Sequence, residues 1–140
     1  MNSRELINKW IFASLSGIEG FEGKVARVVP ASLPGAEYPI ITYQFQNFRD
    51  IEYGNGKKYV SEAVIAVKIW DRNKGFDAID GVLDILPDVL LSQNGRTFEG
   101  HNIEYVERIS MSDDFEAADN EYYCIGVMEF RVGFNCLGGL

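Results

Sequence analysis

The sequence has few of the residues that build covalent or metal-held scaffolds. It contains two cysteines, Cys124 and Cys136, and a single histidine, His101, among 140 residues. Two cysteines are too few for a disulfide framework, and they lack the clustered spacing of a zinc site. A reducing compartment is the simplest setting for such a chain.

Long apolar runs and a surplus of basic residues are also missing. No apolar stretch approaches the roughly 18 residues that span a bilayer, and charged residues near the start interrupt any signal-peptide core. Thirteen basic against 21 acidic residues give a net charge of −8. The chain therefore lacks a general basic footprint for phosphates, and we expect no membrane partner and no sequence-specific binding of nucleic acid.

What is present is the composition of an ordinary globular protein. Apolar residues make up 46% of the chain and charged residues 24%, and its length is typical of one domain. We expect residues 1–136 to form a single domain and residues 137–140 to form a loose tail.

The first helix is predicted over residues 3–15, where apolar residues recur at steps of three and four. Asn2 is the expected N-cap, with Glu5 reaching back to it in a capping box. Ser16 and Gly17 are expected to end the helix in a left-handed turn.

The second helix is predicted from Phe76 to Leu90 by the same spacing. Pro87 removes an amide donor, so the helix is expected to end or kink there. Its polar face carries four carboxylates, which we interpret as a solvated helix face and not as a cation site: Asp77, Asp80, Asp84 and Asp88.

Apolar and β-branched patterns predict the strands. A projecting hairpin is expected over residues 46–58, and an acidic, solvent-exposed connection over residues 113–121. The predicted strands are 24–29, 40–45, 59–70, 96–98, 103–112 and 122–134.

This order of elements predicts an α+β fold, with two helices packed on one mostly antiparallel β-sheet. Only the step across the second helix permits a parallel crossover. The apolar faces of these elements predict a core that contains Trp10, Ile11, Ile65, Val67, Ile69, Ile79, Leu83, Phe130 and Val132.

The residue types that carry catalysis do not converge in the sequence. His101 lies in a Gly-His-Asn segment and is expected to be an exposed turn residue. The glycines at 54 and 56 lack the spacing of a phosphate loop, and no serine has a nucleophile-elbow context. We therefore expect no catalytic residue, no metal site and no cofactor, and an enzyme is disfavoured.

Three segments, in order, resemble a known family. The strand that begins Pro39-Ile40-Ile41-Thr42-Tyr43 precedes a strand that ends Val67-Lys68-Ile69-Trp70-Asp71, and an amphipathic helix follows over 76–86. This pattern is similar to that of the tail-completion or tail-terminator proteins of long-tailed bacteriophages. Two positions depart from the family pattern: Ile40 stands where an aromatic residue is commoner, and Pro87 shortens the helix.

The resemblance implies a structural virion protein that assembles into a ring, usually a hexamer, at the head-proximal end of the tail. Its partners would be further copies of itself, the tail tube protein and the head connector protein. It would be found in the virion, and in the host cytoplasm during assembly. DNA would pass through the ring without sticking, because an acidic surface does not attract the phosphate backbone.

The predicted hairpin is the expected contact surface, because it mixes apolar and charged side chains. Two alternatives stay open: a non-viral interaction module that pairs through a sheet edge, and a small acid-base or metal-dependent enzyme that uses the carboxylates of the second helix. The interface candidates are Phe48, Arg49, Ile51, Tyr53, Lys57 and Lys58.

Overall fold

In a computed structural model, the described residues form two helices and six strands. The structure describes residues 2–28, 30, 35, 37–53, 58–118 and 120–135, with the backbone alone at 52, 53, 58 and 118. The predicted tail at 137–140 and the tip of the predicted hairpin lie outside these residues. In chain order the elements are α1 (Ser3–Ser16), β1 (Val25–Arg27), β2 (Ile40–Tyr53), β3 (Lys58–Arg72), α2 (Asp77–Leu91), β4 (Thr97–Phe98), β5 (His101–Ala118) and β6 (Glu121–Asn135).

The start of α1 confirms the predicted capping box. The backbone N–H of Glu5 donates to Asn2 Oδ1 at 2.9 Å, and Asn2 Nδ2 donates back to Glu5 Oε1 at 3.1 Å. The predicted left-handed end is wrong, because Gly17 has a right-handed φ of −78°. The right-handed turn continues far enough to place Ile18 in the core, and Gly20 is the first residue with a positive φ.

The six strands form one sheet in the order β1-β2-β3-β6-β5-β4. All neighbouring pairs are antiparallel except β1 and β2. The prediction that only the step across the second helix permits a parallel crossover is therefore wrong. Strands β3 and β5 do run in the same direction on either side of α2, but β6 lies between them. The adjacent parallel pair is β1 and β2, because the connection over 28–39 is long enough to return the chain to the same end of the sheet.

Both helices pack on one face of the sheet, and this face holds the main core. Each of the nine predicted core residues is buried, with Ile11, Ile65, Val67, Ile69, Ile79 and Val132 fully inaccessible. Trp10 of α1 meets Phe134 of β6 edge to face, with ring centroids 5.5 Å apart. The apolar stripes read from the sequence therefore account for the packing of both helices.

Two strands are longer than predicted. Strand β2 continues to Tyr53, and its partner β3 begins at Lys58, so residues 47–53 are paired strand, with a bulge at Gln46. Strand β5 continues through the acidic segment to Ala118, where Asp114 pairs with Ile125 of β6. Their polar side chains are accommodated because most of them stay exposed near the rim of the sheet.

Pro87 had predicted an end or a kink of the second helix. The helix does not end there and continues to Leu91. Leu86 and Leu90 flank Pro87 on the buried stripe and are both completely inaccessible. Their burial offsets the hydrogen bond that proline cannot donate. In the described part of the chain, no helix is long and apolar enough to cross a membrane.

Candidate functional site

Four of the residues predicted as an interface lie along β2: Phe48, Arg49, Ile51 and Tyr53. Arg49 is also engaged within its own chain. Its Nε lies 3.0 Å from Glu62 Oε1 on the neighbouring strand. The Glu62 side chain is only 7% exposed, whereas that of Arg49 is 60% exposed. Arg49 therefore balances a buried carboxylate in addition to facing solvent.

Glu62 is the centre of a polar network on the sheet face opposite the helices. Arg131 Nε lies 3.7 Å from the same carboxylate, and the Tyr105 hydroxyl donates to its other oxygen. Gly133 lies opposite Tyr105 in the sheet, and any side chain there would collide with the tyrosine ring. This network satisfies the buried charge and gives Arg49 a structural role that the sequence did not predict.

The other interface candidates divide between core and surface. Phe48 packs against the core, and Ile51 is half-buried. This part of the predicted projecting hairpin therefore contributes to the core. The side chains of Tyr53 and Lys58, and the whole of Lys57, lie outside the described residues.

Hydrogen exchange tests whether this part of β2 contacts a partner. If it does, amides over 46–53 are expected to exchange more slowly in an assembled particle than in the isolated subunit. Amides over 63–69 in the centre of the sheet are the internal control, because they are paired on both sides in either state. Equal exchange rates of 46–53 in the two states would contradict a contact role.

His101 is not the exposed turn residue that was predicted. It begins β5, is half-buried and pairs with Phe98 of β4, while Glu99 and Gly100 make the turn with positive φ. Its Nδ1 lies 3.3 Å from the backbone oxygen of Asn135, beside a cavity of about 140 Å³. The cavity is lined by Gly100, His101, Asn102 and Asn135, a set that contains one titratable group.

The carboxylates of α2 are exposed, as predicted for a solvated face. Among the residues that the structure describes, no group of three or more histidine, cysteine, aspartate or glutamate side chains could hold a metal ion. Cys124 is buried on the core face of β6, where it packs as a small apolar residue.

One open edge of the sheet is formed by β5. From Ile109 to Ala118, no strand in the described part of the chain pairs with the side of β5 that faces away from β6. This segment exposes large apolar side chains, with Met111 59% and Phe115 57% accessible. It also carries the acidic edge, which we define as Asp113, Asp114 and Glu116.

The opposite end of the sheet is formed by β1, beside α1, and carries several basic side chains. Arg4 and Arg27 both lie over the ring of Phe45, at 5.9 and 5.0 Å from its centroid, and Lys24 lies 5.5 Å from the centroid of Phe21. We call Arg4, Lys24 and Arg27 the basic edge. Burial raises the pKa of the nearby Tyr43 hydroxyl, and the charge of Arg27 opposes this shift.

Val28 follows β1 in a conformation that β-branched residues rarely adopt. Its φ is +75°, its side chain is 47% exposed, and its N–H donates to the Tyr43 oxygen at 2.8 Å. An exposed apolar residue held in a strained backbone is typical of functional positions. The basic edge was not predicted from the sequence, although Lys24 and Arg27 on either side of two apolar residues were a visible signal.

Comparison of the chain with protein-family models and with curated proteins gives no match. Within the described residues, the acidic edge and the basic edge lie at opposite ends of the sheet.

Proposed function

We propose that this protein is a structural virion protein that forms a ring at the head-proximal end of a phage tail. The ring terminates the tail tube and joins it to the head connector. The protein works by self-association and docking, and it acts in the virion after assembly in the host cytoplasm.

The geometry of the three resembling segments supports this proposal. Pro39–Tyr43 leads into β2 and Val67–Asp71 lies near the end of β3, and these strands are antiparallel neighbours in which Ile41 pairs with Ile69. Helix α2 packs on the same sheet over Gly126 of β6. The segments that carry the resemblance therefore belong to one packed unit.

The observation that carries the proposal is that the single sheet ends in a different strand on each side, and that within the described residues no further strand pairs beyond β1 or beyond most of β5. At one side, β1 covers only residues 41–43 of β2, and at the other side β4 covers only the start of β5. Two different edges allow a head-to-tail contact, in which each copy uses one edge for each neighbour. Repetition of such a contact closes into a ring when the rotation between copies fits.

Sedimentation across a salt series, with and without purified tail tubes, tests the proposal. Each copy carries a net charge of −8, so repulsion between copies is expected to be strongest at low ionic strength. Assembly on tube ends is expected to increase as salt approaches about 0.15 M, where charges are screened beyond about 8 Å. A protein that stays monomeric in the presence of tubes at every salt concentration would contradict the proposal.

The same open edges also suit a second candidate, an interaction module outside a virus that pairs with one partner strand. That protein would remain a monomer with tail tubes and would form a one-to-one complex with its partner. The stoichiometry of the assembled species separates the two candidates.

A further inference from the structure

We infer that adjacent copies in the ring join edge to edge, with the acidic edge of one copy against the basic edge of the next. The inference rests on the proposed ring function and identifies the two surfaces that build it. It also gives a role to the segment 113–118, which the sequence analysis had interpreted as part of a solvent-exposed connection.

Charge decides which edges meet. If β5 paired with β5 of a second copy, the acidic edges would face each other, and like charges across paired strands destabilise the pair. Pairing β1 with β1 of a second copy would bring Lys24 and Arg27 of one copy against the same basic residues of the other. Only the head-to-tail arrangement places carboxylates against ammonium and guanidinium groups at every contact.

The two edges also lie at the same level of the sheet. Following the register across the strands, Val25 lies level with Ile41, Ile69, Gly126 and finally Asp113. By the same register, Arg27 is level with Met111. A contact between edges at equal height adds no translation along the strands, so repetition closes a ring and does not produce a helical filament.

The strand directions fit the contact. Strand β1 is parallel to β2, and three antiparallel steps then lead from β2 to β5. Strand β1 therefore runs opposite to β5, and a symmetry axis along the strands preserves this relation between copies. The new pair is antiparallel, like most pairs within the subunit.

Exposed apolar side chains accompany the charges on both edges. Met111 and Phe115 flank Asp113 along β5, and Val28 follows Arg27 at the end of β1. In the contact these side chains would cover one another, with the charged groups around them. This is the usual arrangement of a protein interface, in which an apolar centre is enclosed by a polar rim.

Charge reversal of each edge tests the inference. The variants are Lys24→Glu/Arg27→Glu and Asp113→Lys/Asp114→Lys, studied on tail tubes by sedimentation and negative-stain imaging. Each variant alone is expected to lose the ring, because every contact then joins like charges. An equimolar mixture is expected to regain rings with an even number of copies, since the two variants alternate with opposite charges at every contact.

Matched controls change the same charges away from the edges. Lys74→Glu and Asp84→Lys/Asp88→Lys alter exposed residues of the same sign, and both are expected to assemble like the wild type. Recovery in the mixture also shows that each edge variant is folded.

The outcomes separate this inference from the function on which it rests. Rings that form normally from both edge variants would overturn the edge contact and leave the ring function standing. A loss of rings that the mixture does not restore would also overturn it. So would a loss of rings in Asp113→Lys/Asp114→Lys when Lys24→Glu/Arg27→Glu still assembles normally. A wild-type protein that never assembles on tubes would overturn both.

Discussion

Replacing Leu83 by alanine is expected to lower the free energy of unfolding by about 2–5 kcal/mol. Leu83 is 93% buried on the core face of α2, and it packs against the sheet at Gly126. The substitution removes three carbon atoms and leaves a cavity between helix and sheet, because the surrounding residues belong to rigid elements. Chemical denaturation, monitored by tryptophan fluorescence, measures the loss.

Ile85 provides the matched control on the same helix. Its side chain is 44% exposed, so Ile85→Ala is expected to change the free energy of unfolding by no more than about 0.5 kcal/mol. A loss below about 0.5 kcal/mol for Leu83→Ala as well would mean that α2 does not pack on the sheet as described.

Gly126→Ala is expected to destabilise the protein by about 1–3 kcal/mol, the usual cost of adding volume to a filled core. A Cβ atom at this position would lie 2.5 Å from Ile79 Cγ2 and 2.9 Å from Leu83 Cδ1. Both contacts are far shorter than van der Waals distance, so α2 or these side chains must move. The glycine allows close approach of helix and sheet.

The same substitution at Gly81 is expected to have the opposite sign. Gly81 lies within α2 on its exposed face, and a Cβ atom there would have no neighbour within 4 Å. Alanine in place of glycine in a helix stabilises it by about 1 kcal/mol. If Gly126→Ala and Gly81→Ala shifted the midpoint of thermal or chemical unfolding in the same direction, the described packing of α2 over Gly126 would be wrong.

The elements that could be predicted from sequence are those whose burial pattern is periodic. Strand β3 alternates Ala63, Ile65, Val67 and Ile69 on one face, and all four are inaccessible in the core. The cap at Asn2 was equally predictable, because it depends on residues three positions apart. Sequence patterns therefore predict structure where one face of an element is buried or where the contacting residues are close in sequence.

Other features depend on contacts that are distant in sequence. The segment 113–118 is strongly acidic, yet it is paired strand because β6 supplies a complete backbone partner. Helix α2 passes through Pro87 because Leu86 and Leu90 meet the core on either side of it. In both cases tertiary packing overrides a local preference, and sequence patterns alone do not report that packing.

The candidate site was predicted only in part for the same reason. Arg49 was identified as an exposed charge, but its partner Glu62 is 13 positions away and became visible only through the register of β2 and β3. The basic edge gathers residues from α1 and β1 around Phe45. The order of strands brings such residues together. The sequence alone therefore does not show that the basic edge lies at the opposite end of the sheet from the acidic edge.

A negative-stain image of the wild-type protein incubated with purified tail tubes tests the central claim most directly. The ring account predicts a closed ring with a central hole, seated at one end of each tube and absent when the protein is omitted. Tubes with bare ends beside dispersed single subunits would contradict it.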